Sequence, residues 1–191
     1  MQKFSLRLFL ITLLIILTST SVSLAKEKDP DKERAELMQM SGEVLDKMSK
    51  KYPETTDQVE NSYAYCTISS SSVKLGFWGS GHGRGVAINN ETGEKVYVKM
   101  KEVTVGFNIG AKEYDLLFII TNKDTWDKFI SGKIEFGTEV TAAATDGVSG
   151  DAYTNAKNVA KGVYVYQVDK KGLAVELTFK GARISPIRHL Q

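Results

Sequence analysis

Glycine stands at every second position in Gly79-Ser80-Gly81-His82-Gly83-Arg84-Gly85, inside a stretch otherwise written in β-formers. Alternate residues of a strand share a face, so the glycines leave one face bare and put Ser80, His82 and Arg84 on the other. A bare face admits another backbone or a side chain at close range. Glycines inside strand patterns also mark bends and bulges, and a curved or partly closed sheet needs such positions. A phosphate-loop reading fails in detail. The G-x-G-x-x-G fingerprint requires glycine at its sixth position, which is Arg84 counted from Gly79 and Val86 counted from Gly81. No helix pattern follows, so no helix N-terminus would face a phosphate.

The rest of the chain supplies one long helix and many strands. Asp29-Pro30 is an N-cap followed by proline at the first helical position. Leu37, Val44, Leu45 and Met48 then recur at helical spacing over residues 31–51, and Pro53 ends the run. This amphipathic helix either touches a membrane or packs its stripe on the domain. Its polar face mixes acids and bases, which favours packing. Residues 54–61 read as loop or short helix. From Tyr63 the period changes to two, with strands expected at Tyr63–Ile68, Val73–Gly79, Gly83–Asn89, Lys95–Thr104, Val105–Ala111 and Asp115–Thr121. Asn89-Asn90-Glu91-Thr92-Gly93 is a turn cluster. Asn122 caps a helix over Lys123 to Ser131, and Gly132 stands where a helix-ending glycine belongs. Further strands are expected at Lys133–Ala144, Val159–Val168 and Gly172–Ile184, with a mobile loop at 145–158 and a hairpin turn at 169–172. The fold class is α+β: an N-terminal amphipathic helix, then a curved, predominantly antiparallel β-sheet domain with one short internal helix. The expected divisions are 1–25, 26–60 for the helix and linker, and 61–191 for the β-rich domain.

The first 25 residues read as a signal peptide. Lys3 and Arg7 precede an apolar stretch from Leu8 to Leu17, and Ser23-Leu24-Ala25 offers the small residues a signal peptidase reads. Cleavage is expected after Ala25, giving a periplasmic or secreted protein; an uncleaved N-terminal anchor is the other reading. Loss of this segment removes Lys3 and Arg7 and no acid, which leaves 23 bases against 23 acids. A global basic field for nucleic acid is therefore absent. Residues 157–191 nonetheless carry seven bases against Asp169 and Glu176, a local anion-binding face or a set of solvated strand edges.

Catalytic chemistry has little to work with. His82 and His189 are the only histidines, and H-E-x-x-H, C-x-x-C and G-x-S-x-G are all missing. No nucleophile–base constellation, metal set or cofactor motif emerges, so no enzyme and no cofactor is expected. The single cysteine, Cys66, lies in an alternating apolar segment and reads as a buried structural thiol.

Several ordered segments resemble the SYLF lipid-binding family. They are Gly76-Phe77-Trp78-Gly79 through Gly83-Arg84-Gly85-Val86, Val105-Gly106-Phe107-Asn108-Ile109-Gly110-Ala111, and the apolar run from Asp115 closing on Thr121-Asn122. Gly132–Val140, Val163-Tyr164-Val165-Tyr166 with Lys171-Gly172-Leu173-Ala174, and Gly181-Ala182-Arg183-Ile184 extend the likeness over roughly residues 60–186. The chain departs from the family's pattern at 142–150, where a proline is missing, and at Val175-Glu176, where a glycine is usual. The resemblance implies a non-enzymatic lipid-binding module with an anionic phospholipid or membrane surface as partner. Actin binding, known in some members, does not carry over to an exported bacterial protein. The residues implied for lipid contact are Lys74, Arg84, Lys112, Lys170 and Lys171, each basic and in or beside a matched motif. A structural or protein-interaction module with an envelope protein partner is the alternative.

Overall fold

A computed structural model describes residues 29–134, 136, 153, 155–170 and 182–191. The expected signal segment, Lys171, and most of the expected 133–144 strand, 145–158 loop and 172–184 strand lie outside the described residues. The chain begins with α1 (Pro30–Lys51) and α2 (Thr55–Asn61), followed by β1 (Ala64–Asn89) and β2 (Lys95–Ile120). Then come α3 (Lys123–Ile130), β3 (Lys157–Ala160), β4 (Val163–Asp169), β5 (Arg183–Pro186) and a 3-10 turn at Arg188–Leu190. The described strands form one antiparallel sheet in the order β1-β2-β4-β3, with β5 paired to the opposite stretch of β2. The α+β class stands, with a curled sheet and the helix on its outer face.

The six strands expected between Tyr63 and Thr121 are in fact two continuous strands of 26 residues each. Straight, either would reach about 85 Å, roughly twice the width of a domain of this size. The hairpin is instead folded back on itself, and the alternating glycines are the reason. A Cβ on Gly85 would lie 1.8 Å from the Thr67 carbonyl oxygen, and one on Gly83 would lie 2.6 Å from Ile68 Cγ2. At Gly81 the nearest atoms would be Glu102 Oε2 at 2.9 Å and Ser72 Cβ at 3.0 Å. Residues 67–72 and 81–85 of the same strand are thus in direct contact through the glycine face. β2 makes the same bend, because the Tyr114 hydroxyl donates to the Glu102 carboxylate. The turning region is residues 73–80 of β1 with 103–111 of β2, and its register slips between Gly76 and Trp78.

Burial follows from the fold-back. Cys66, Ile68, Val98, Met100, Leu116 and Phe118 face one another between the two arms and meet Phe129 of α3. Burial pushes the Cys66 thiol well above its ordinary pKa, which keeps it protonated and inert. On the other face Leu117, Ile119 and Tyr166 receive Val44 and Met48 of α1. Leu37 of the same helix meets Val86, Tyr97 and Leu190. The apolar stripe of α1 is therefore spent on the sheet. Asp29 caps α1 through its side chain, which accepts from Asp31 N–H at 3.0 Å. Asn122 caps α3 by accepting from Thr125 N–H at 3.0 Å, and Gly132 ends it at φ 69°.

Two other expectations are corrected. The single strand expected at Val159–Val168 is a hairpin of β3 and β4, turned at Gly162 with φ 71°. A side chain there would meet Thr121 Oγ1 and Thr125 Oγ1 at 2.8 Å, so the turn packs against the cap of α3. Lys133 and Ile134, at the start of the strand expected at Lys133–Ala144, are not in a strand; Phe136 enters the aromatic cluster with Phe118 and Phe129.

Candidate functional site

The outer face of the folded hairpin changes character along its length. Under α1 it is apolar, with Val86 opposite Tyr97. One step beyond, Arg84 stands opposite Lys99, and then His82 stands opposite Lys101. On the far side of β2, Lys101 is paired with Arg183 of β5 and Lys99 with Ser185. Cross-strand partners share a face with Cβ atoms about 5 Å apart. His82, Lys101 and Arg183 therefore form one row and Arg84, Lys99 and Ser185 the next, and all the charged members are exposed. Lys99, Lys101 and Arg183 have no ion-pair partner among the described residues. Bases held this close, without acids between them, make a surface that attracts phosphate-bearing anions.

Arg84 is tied at the edge of this surface. Its guanidinium donates to the buried Glu33 of α1, whose other oxygen meets His189 Nε2 at 3.1 Å. Glu33 thereby joins the start of α1, the hairpin and the C-terminal turn. The Arg84 guanidinium holds the Glu33 carboxyl below its ordinary pKa; burial opposes this and the His189 contact adds to it. A depressed carboxylate contributes stability above the unfolded pKa of 4.5 and loses it as pH falls through the lower folded value. Thermal melts from neutral pH to pH ~3 should thus show a loss of stability on the acid side that Glu33→Gln partly flattens, with a neutral-pH cost of roughly 1–3 kcal/mol.

The five residues implied by the family resemblance do not gather in one place. Lys74 and Lys112 are diagonal neighbours, paired with Gly110 and Ser72, beyond the register slip from Lys99 and Lys101. Arg84 is at the Glu33 junction. Lys170 sits at the far arm, where its Nζ donates to Ser69 Oγ at 2.7 Å and lies 3.5 Å from the buried Asp115. Lys47 of α1 completes that site, donating to Asp115 Oδ2 at 2.8 Å. Lys171 is outside the described residues.

Lys170 accordingly compensates a buried carboxylate. Lys170→Glu should lower the urea midpoint by the equivalent of about 1–3 kcal/mol, because it sets a second negative charge beside Asp115. Lys170→Met, which keeps the stem, should cost less. The pair of unfolding curves separates a folding defect from any change in ligand binding.

Sequence reasoning missed Lys99, Lys101 and Arg183. The alternation Lys99-x-Lys101 was a signal that both share a face, but Arg183 joins them only through the β2–β5 register. Among the described residues no group of three or more His, Cys, Asp or Glu side chains is placed to hold a metal ion. Among the same residues, no helix is long and apolar enough to cross a membrane.

Residues 101–189 match the sequence profile of the Ysc84 family, described as Las17-binding protein actin regulator. A curated relative, Beta cell expansion factor A of Aeromonas veronii, is 26% identical over 153 residues, which is 78% of this chain and 56% of the relative. The chain thus spans a little over half the length of that relative. The profile match begins at Lys101, the seventh residue of β2. Its hairpin partner β1 lies wholly before the match, and half a hairpin leaves its backbone unpaired, so the folding unit reaches back to at least Ala64.

Proposed function

We infer the function from the premise that residues 101–189 belong to the Ysc84 (SYLF) family, a family of binding domains. The chain is proposed to be a non-enzymatic, peripheral lipid-binding module that holds anionic phospholipid headgroups on the cationic face of its folded hairpin. One observation carries this reading: Lys99, Lys101 and Arg183 lie side by side across adjacent strands, exposed and without acidic partners among the described residues. Each base near an anionic surface contributes on the order of 1 kcal/mol. A rigid sheet presents them together, which spares the ordering cost that flexible tails incur.

Lys74 and Lys112 extend the proposal along the same hairpin, past the register slip. Arg84 contributes less freely, because Glu33 already holds it. The signal-like segment 1–25 supports export, with action in the periplasm or outside the cell. A protein partner is the second reading, and the family's own description, which names protein binding, favours it.

Co-flotation of residues 26–191, which contain every described element, with zwitterionic and anionic vesicles tests the proposal. Flotation with anionic vesicles only, weakened by salt, supports headgroup binding. Absence of flotation at every composition, with a protein recovered on the chain from envelope extracts, moves the assignment to the protein-interaction reading.

A further inference from the structure

The cationic rows lead directly to an apolar tip. Where the hairpin folds back, Val73 is 51% exposed, Leu75 72%, Phe77 62%, Trp78 70% and Val103 52%. These are large apolar side chains set in water on a short stretch of one hairpin, at the point where both strands reverse. Four of them fall within residues 73–78 of β1, and Val103 stands opposite Ser80, so they are grouped at the turn where single surface leucines would be scattered.

Charge is arranged around the tip on both strands. Lys101 lies two residues behind Val103 on the outer face, about 7 Å along the strand. Lys74 stands between Val73 and Leu75, with Lys112 diagonal to it across the hairpin. Of the nearby acids, Glu102 is engaged by the Tyr114 hydroxyl, and Glu113 sits further back, opposite Ser71. An apolar point followed at about 5–10 Å by a collar of lysines matches the depth from acyl chains to headgroups. Long lysine stems reach back to the headgroup level when their backbone enters the boundary. Trp78 suits the same boundary, where one end of the indole is apolar and the other polar. A second copy of the chain is a poorer occupant, because two tips in contact would bring their lysine collars together.

We propose that the apex of the folded hairpin, with Leu75 and Trp78 at its point, is a wedge that enters the acyl region of one leaflet while the flanking lysines hold the headgroups. This rests on the lipid-binding reading above and adds to it a contact that salt does not screen. The fold-back gives the wedge its stiffness: the glycine face locks the two arms together directly behind it.

Tryptophan fluorescence tests the insertion, because the chain has two tryptophans and Trp126 is 2% exposed. Residues 26–191 are mixed with vesicles of phosphatidylcholine and phosphatidylglycerol whose acyl chains carry bromine. The expected result is quenching of the wild type and none of Trp78→Phe, which still floats. Leu75→Ser with Trp78→Ser should lower vesicle partitioning by roughly tenfold or more, and what remains should be released by moderate salt. Flotation without quenching overturns the wedge and leaves headgroup binding standing. Absence of flotation overturns both. Self-association that Trp78→Ser abolishes, without quenching, overturns the wedge and gives the apex to a second copy.

Discussion

Gly85→Val should leave the chain unable to fold. Even the alanine variant places Cβ 1.8 Å from the Thr67 carbonyl oxygen and 2.9 Å from Ile68 Cγ1. The atom it meets first is backbone, which cannot swing aside as a side-chain end can. The two arms of β1 would have to part, and their separation opens the core between Ile68, Val98, Met100 and Phe118. Overpacking a core ordinarily costs about 1–3 kcal/mol; here the displaced element is the fold-back itself, so a loss of at least ~3 kcal/mol is expected for alanine and more for valine. A domain holds only about 5–15 kcal/mol in all. Gly42 is the internal control. It lies in α1 with nothing within 4 Å of its would-be Cβ. Gly42→Ala should stabilise the protein by up to about 1 kcal/mol through helix propensity. Chemical denaturation of the two alanine variants should move the midpoint in opposite directions. Equal midpoints for Gly85→Ala and wild type would show that the arms do not meet there.

That close approach was legible in the sequence, since glycine at alternate positions has few uses in a strand other than a face something else must touch. The helices were legible for similar reasons of local chemistry. Asp29 and Asn122 are caps, Gly132 is a terminator, and the Leu37–Val44–Met48 stripe has one period only. What touches the glycine face was not legible. The partner is residues 67–72 of the same strand, and nothing local says that a strand will fold onto itself. The glycines instead read as interruptions, and two long strands were divided into six. The cationic face was hidden for the same reason. Its members come from β1, β2 and β5, and the pairing of Lys101 with both His82 and Arg183 is a product of register across 19 and 82 residues of sequence. Motif position pointed to Lys170, whose surroundings give it a structural task beside Asp115.

The second large effect concerns Lys99 and Lys101. They occupy the middle strand of the cationic rows, so replacing both with glutamate removes two attractive charges and installs two repulsive ones at its centre. At about 1 kcal/mol per charge, the combined change is roughly 2–4 kcal/mol, or about a 30- to 1000-fold fall in partitioning onto anionic vesicles. Both side chains are exposed and make no ion pair among the described residues, so the fold should be unaffected and the melting curve unchanged within about 0.5 kcal/mol. This separation of binding from stability is what Lys170→Glu cannot offer.

Co-flotation of wild-type residues 26–191 and the Lys99→Glu/Lys101→Glu variant, side by side on anionic vesicles at low and moderate salt, therefore tests the cationic face most directly. The wild type should float and lose affinity with salt, while the folded variant stays at the bottom of the gradient. Equal flotation of the two proteins, or failure of the wild type to float at low salt, would contradict the assignment of this face to phospholipid headgroups.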